Sequence, residues 1–187
     1  MKKILGLFVV LTLTFTLASC VSGEVLEDAD HDYYGTGNFA SWDKATADDA
    51  YMMEAIARND ERIDSIVKDT KGAEAIYILE VVLPSEAAGW NVPYTIDGVE
   101  TVLDGNLTVK VIQTDVDSEV PNYWAQSPES GKVTNLTPDT LYVPAFVETA
   151  VDGAGNWNDN PVALEAGTYY LVFVLFDGSK GMALIEK

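Results

Sequence analysis

The stretch Thr168–Phe176, TYYLVFVLF, decides the fold. Every residue in it is β-branched, aromatic or leucine, types that fit the pleated surface of a strand. Both alternating faces are apolar, so the strand is expected in the middle of a sandwich. Asp177 and Gly178 follow, and then Met182–Glu186 (MALIE), a turn signal and a second β run that predict a closing hairpin. Working back along the chain, the same composition recurs at Ala75–Leu83 (AIYILEVVL), Val92–Ile96, Leu107–Thr114 (LTVKVIQT) and Thr140–Glu148 (TLYVPAFVE), each bounded by Gly, Pro, Asn or Asp. In LTVKVIQT, Leu107, Val109, Val111 and Gln113 alternate with Thr108, Lys110, Ile112 and Thr114, the period of a half-buried strand.

Only residues 45–69 have helical composition, with Ala50, Met53, Ile56, Ile63, Ile66 and Val67 at partly helical spacing. Asn59-Asp60 interrupts the pattern, so one or two short turns are expected, with Tyr51–Ile56 open to a strand reading as well. Strands without regular β-α alternation point to an all-β fold, an antiparallel sandwich. No internal repeat is visible.

At 187 residues the chain has the length of one domain with appendages, and 48% hydrophobic residues suffice for a core. Thirty acidic residues against 11 basic ones give a formal charge of -19, which repels polyanions and excludes nucleic acid as a partner.

Lys2 and Lys3 precede the uncharged apolar run Ile4–Leu17, after which come Ala18, Ser19 and Cys20. This is the layout of a secretory signal, and the run is shorter than the roughly 18 residues or more of a spanning helix. Leu17-Ala18-Ser19-Cys20 resembles the lipobox of bacterial lipoproteins. That resemblance implies cleavage after residue 19, acylation of Cys20 with chains such as palmitate, and a domain held at a membrane of the cell envelope. Val21 after the cysteine favours the outer membrane if the source is Gram-negative, with the domain facing the periplasm or the outside. The expected organisation is a signal peptide over 1–19, a lipidated cysteine and acidic tether over 20–32, and one β-sandwich over 33–187. The tether carries Glu27, Asp28, Asp30, Asp32 and His31, read as a solvated segment in preference to a cation site.

Catalytic signals are sparse. A hydrolytic triad needs a histidine held by a carboxylate, and the one histidine, His31, falls in the expected tether. The single cysteine precludes an internal disulfide, and no GxSxG, GxGxxG or HExxH motif is present. The expected protein is not an enzyme and needs no cofactor. Calcium is the one metal considered: Asp152, Asn156, Asn158 and Asn160 in DGAGNWNDN (152–160) offer oxygen ligands, although the segment lacks the glycine and terminal glutamate of an EF-hand loop. A plain polar loop is the alternative.

Aromatics in polar surroundings carry more information. Trp90 lies in AAGWNVPY, Tyr123 and Trp124 follow Asn122, and Trp157 stands between Asn156 and Asn158. Sugar rings have C–H faces and hydroxyl rims, so they bind flat aromatics flanked by amides and carboxylates; a large residue capping the core is the competing reading for each. The segment Tyr34-Gly35-Thr36-Gly37-Asn38-Phe39-Ala40-Ser41-Trp42, with Met52 and Met53, and the closing Gly167-Thr168-Tyr169 with Asp177-Gly178, resemble starch-binding immunoglobulin-like β-sandwich modules of Bacteroidetes surface lipoproteins. The resemblance implies non-catalytic binding of carbohydrate, α-glucan included. A structural or protein-interaction lipoprotein, meeting an envelope partner through strand edges and aromatics, is the alternative.

Overall fold

A computed structural model describes residues 23–37, 39, 51–83, 94–96, 99–101, 107, 109–116, 124–128, 136–150, 164 and 167–187. These residues form an all-β structure. Its strands are β1 (His31–Gly37), β2 (Glu54–Ala55), β3 (Ala75–Leu83), β4 (Tyr94–Ile96), β5 (Val99–Thr101), β6 (Val109–Asp115), β7 (Trp124–Pro128), β8 (Phe146–Ala150), β9 (Gly167–Phe176) and β10 (Ser179–Glu186). One sheet has the order β1-β6-β7-β8, a second has the order β10-β9-β3-β2, and β4-β5 is a separate hairpin. Every strand pairing is antiparallel.

Strand β9 lies between β3 and β10, and both of its faces are covered. Tyr169, Leu171, Phe173 and Leu175 join Tyr77 and Leu79 of β3 in a buried cluster with Tyr33 of β1 and Val109 and Val111 of β6, so the two large sheets share one core. The Tyr33 ring stacks 4.6 Å from Tyr77 and 5.5 Å from Phe173. Val172 and Val174 on the opposite face meet Ile76, Ile78, Ala183 and Ile185, and Ile56, Ile63 and Ile66 cover them. Fully burying an aliphatic or aromatic side chain contributes about 1.5–3 kcal/mol, and this one strand places buried side chains in both clusters.

The cover over that outer face is the expected helical stretch in shortened form. Within 45–69 the described structure contains the two-residue strand β2 and a 3-10 helix at Glu61–Ile66, kinked at Ile63. Asp60 caps the helix by accepting the Arg62 N–H at 2.9 Å, which explains why the Asn59-Asp60 pair ends one element and begins the next. The Arg62 guanidinium also bonds Asp60 and Glu54, tying β2 to the helix.

Two expected boundaries shift. The strand anticipated at Thr140–Glu148 is divided by Pro144, which has no N–H to give to a ladder. Before it, Tyr142 bridges Met182 on the outer edge of β10; after it, Phe146–Ala150 pairs with β7 in the other sheet. The acidic tether expected over 20–32 is drawn into the fold from Val25 onward: Val25 bridges Ala57, the Leu26 N–H bonds the Ile56 carbonyl, and the Ile76 N–H bonds the Leu26 carbonyl. Apolar Leu26, packed against the outer cluster, anchors a segment whose acidity alone reads as solvated.

The predicted β9–β10 hairpin turns at Asp177-Gly178, with Gly178 in the left-handed region at φ 69°. Gly181 serves a different purpose, because a Cβ there would stand 3.0 Å from Leu141 Cδ1, 3.1 Å from the Tyr142 carbonyl oxygen and 3.2 Å from Val143 Cγ2. The glycine lets residues 141–143 lie against β10 and close its edge. Gly181→Val is expected to destabilise the protein by about 1–3 kcal/mol through overpacking; urea unfolding reads the effect, and an unchanged midpoint would show that residues 141–143 shift at no cost.

Candidate functional site

Among the described residues a cleft of about 530 Å³ lies on the side of the molecule where β1 and residues 52–55 meet. Its wall combines Glu27, Asp28, His31, Asp32 and Glu54 with Tyr33, Tyr77, Met52, Met53 and Val116. The elements that shape it are the segment entering β1, the start of β3, and residues 52–55. Met53 donates its N–H to the Tyr33 carbonyl at 2.8 Å, while Glu54 and Ala55 pair with Ile78 and Tyr77. Residues 52–55 therefore pass from the edge of one sheet to the edge of the other and form one side of the cleft.

Asp28 is the centre of the polar network. Its Oδ2 accepts from His31 Nδ1 at 2.8 Å and from the Tyr33 hydroxyl at 2.9 Å, and its Oδ1 accepts from the Asp30 N–H at 3.1 Å. Its own N–H donates to the Tyr77 hydroxyl at 2.7 Å. Burial would raise the Asp28 carboxyl, yet the bonds from His31, Tyr33 and Asp30 outweigh burial and hold it below its ordinary value. An ionised carboxylate can only accept, so Nδ1 of His31 carries a proton. Nε2 lies 3.6 Å from Asp115 Oδ1 at the end of β6, which places both ring nitrogens against carboxylates. The Tyr77 hydroxyl is pushed up to about 12, chiefly by burial, with the charges of Asp28, Glu27 and Asp32 adding to the rise. Tyr33 also lies 3.3 Å from Gln113 Oε1, extending the network into β6.

The histidine–carboxylate pair that the sequence reading placed out of reach does form, because His31 opens β1 instead of ending a tether. Among the described residues lining the cleft there is no Ser, Thr or Cys, and the two imidazole nitrogens face the carboxylates of Asp28 and Asp115. What the arrangement offers is a set of fixed hydrogen-bonding groups beside an apolar floor, which suits recognition of a polar ligand.

Of the sequence-derived carbohydrate and calcium residues, Trp124 alone falls among the described residues. Trp124 opens β7, paired with Gln113 and Ala150; Gln113 in turn pairs with Tyr33, so Trp124 occupies the register row of those two residues. Tyr123, Asn122, Trp90, Trp157, Asn156 and Asn158 lie outside the described residues, as do the calcium candidates Asp152 and Asn160 and the lipidation candidate Cys20. Among the described residues no group of three or more His, Cys, Asp or Glu side chains is placed to hold a metal, the cluster Glu27, Asp28, Asp30, His31 and Asp32 included. No helix among them is long and apolar enough to cross a membrane. The cleft residues were individually visible in the sequence, but the spacing of Asp28, His31 and Tyr33 resembles a solvated acidic run unless the long-range partners Tyr77 and Gln113 are known.

Because the folded Asp28 carboxyl titrates below its ordinary 3.8, its contribution is complete above about pH 4 and is lost as pH falls through the lower folded value. Asp28→Asn is expected to cost about 1–3 kcal/mol at neutral pH, the range for a hydrogen-bonded buried charge, and to flatten the acid limb of the stability profile. Urea midpoints collected from pH 2 to 7, on the order of the carboxylate range, test this; a variant as acid-sensitive as the parent would assign the limb to other carboxylates.

Comparison of the chain with protein-family models, with curated proteins and with solved structures found no match, so the site is read from its own chemistry.

Proposed function

We propose that the chain is a lipid-anchored protein of the cell envelope whose immunoglobulin-like β-sandwich binds carbohydrate, α-glucan included, without catalysing a reaction. The signal layout ending at Leu17-Ala18-Ser19-Cys20 supports the anchor. Two four-stranded antiparallel sheets around one core support the sandwich. The observation that carries carbohydrate as the ligand is the repeated placement of Trp and Tyr among amides: Asn122-Tyr123-Trp124, Asn156-Trp157-Asn158 and Trp90-Asn91. In this reading the rings stack on sugar faces, and Asn122, Asn156 and Asn158 bond hydroxyls.

Two geometric features weigh on the rival reading, a protein-interaction lipoprotein that pairs through strand edges. The outer edge of β10 is occupied by residues 139–142, and that of β1 is met by Met52 and Met53. Strand addition at these two edges would require displacing bonds already made.

Titration of the domain from Val21 to Lys187 with an oligosaccharide panel that includes maltooligosaccharides, followed by tryptophan fluorescence with and without calcium, tests the ligand. Saturable binding is expected, and Trp157→Ala or Tyr123→Ala should weaken it by about 1–3 kcal/mol, the cost of losing an aromatic hot spot. Trp124→Ala is expected to weaken binding in the same range if β7 presents it to ligand, with a urea midpoint separating that loss from unfolding. A folded domain indifferent to every glycan would sink the carbohydrate reading.

A further inference from the structure

The connection between the anchor and the fold is short enough to fix which face of the domain meets the membrane. Val25, through its bridge to Ala57, and Leu26, through its bonds to Ile56 and Ile76, are already part of the structure. Five residue steps separate Cys20 from Val25. At no more than about 3.6 Å per extended residue they span at most about 18 Å. Acyl chains on Cys20 would therefore hold Val25, and the cleft wall that begins at Glu27, within about 25 Å of the bilayer surface.

The chemistry of that face agrees with a membrane neighbour of one kind. Val25, Met52 and Val116 are exposed by 51, 40 and 50%, and they are three of the five large hydrophobic residues most exposed among the described ones. Met52 and Val116 line the cleft with Glu27 and Asp32, and the Val116 N–H bonds the Asp30 carbonyl, so these groups share one side of the molecule. Removal of Lys2 and Lys3 with the signal takes the formal charge from -19 to -21, which repels an anionic lipid surface. A zwitterionic headgroup layer presents ammonium groups to carboxylates and gives the three apolar side chains a boundary to rest on.

We propose that the surface formed by residues 25–32, Met52 and Val116 faces the headgroup layer of a zwitterionic bilayer, with the cleft opening beside the membrane. This rests on the lipoprotein reading. The opposite end of the second sheet is then distal. Ile76, bonded to Leu26 and second in β3, and Leu83 at the strand's far end are about 23 Å apart at strand rise, and Glu186, which pairs with Tyr169, lies toward the Leu83 end.

The test uses the full chain, processed and acylated, in phosphatidylcholine–phosphatidylethanolamine vesicles carrying an acceptor dye on the headgroup. Acylation removes the only native thiol, so a donor dye can be placed on Asp30→Cys or on Glu186→Cys. Energy transfer is expected to be severalfold stronger from position 30 than from 186, and a long Gly/Ser insertion between Cys20 and Val21 should level the two. Equal transfer from both positions in the acylated, unextended protein would overturn the orientation and leave the anchor intact. A mature protein whose intact mass lacks acyl chains would overturn the lipoprotein reading and the orientation with it.

Discussion

The structure depends on strand β9 being buried on both faces. One row of its side chains, Tyr169, Leu171, Phe173 and Leu175, requires a sheet opposite it, and the other row, centred on Val172 and Val174, requires a cover behind it. The first requirement brings β1 and β6 over β3 and β9, with Tyr33 set against Tyr77 and Phe173. The second places Ile63 and Ile66 on the back, which is why a chain of strands contains a kinked 3-10 helix at that point. A single sheet with one wet face would accept a polar residue in every second place; from Tyr169 onward this strand carries only aromatic, valine and leucine residues.

Closing the sides of such a two-layered core is a separate problem, since each sheet ends in strands with unpaired backbone groups. On one side residues 52–55 bond first to β1 and then to β3, and the segment around Leu26 adds bonds to Ile56 and Ile76. On the other, residues 139–142 bond to β10 before Pro144 releases the chain to the other sheet. Asp28 belongs to the first closure. Its links to His31, Tyr33 and Tyr77 join the entering segment to both sheets, so the polar groups of the cleft are structural supports.

How far the sequence was legible follows from the range of the interactions involved. The β9 run and its hairpin with β10 could be read directly, since strand composition and an Asp-Gly turn are local signals. The same is true of β3 and β6. The start of β1 could not, because His31 and Asp32 belong to a strand only through pairing with Asp115 and Thr114, more than eighty residues away. Acidic composition across 24–32 pointed to solvent, and the one apolar residue that reverses it, Leu26, carries no periodic pattern by itself. The division of 140–150 between two sheets was available in principle from Pro144. The cleft was not available, since Asp28, Glu54, Tyr77 and Val116 meet only in three dimensions.

Charge explains why this fold leans so heavily on apolar contacts. With 30 acidic and 11 basic residues, most carboxylates have no cation to pair with. Two of the described cations stand at seams: Arg62 between β2 and the 3-10 helix, and Lys187 on Glu80 of β3 at the end of the chain. Pairs as exposed as Lys187–Glu80 contribute little in water, so they set register more than they hold the molecule together. Asp28 is the exception, because it is partly enclosed and receives its bonds from uncharged tyrosine and backbone donors as well as from His31. Where Asp60 is held by the Arg62 cation, Asp28 is held largely by dipoles, the Tyr33 hydroxyl and the Asp30 N–H, beside His31.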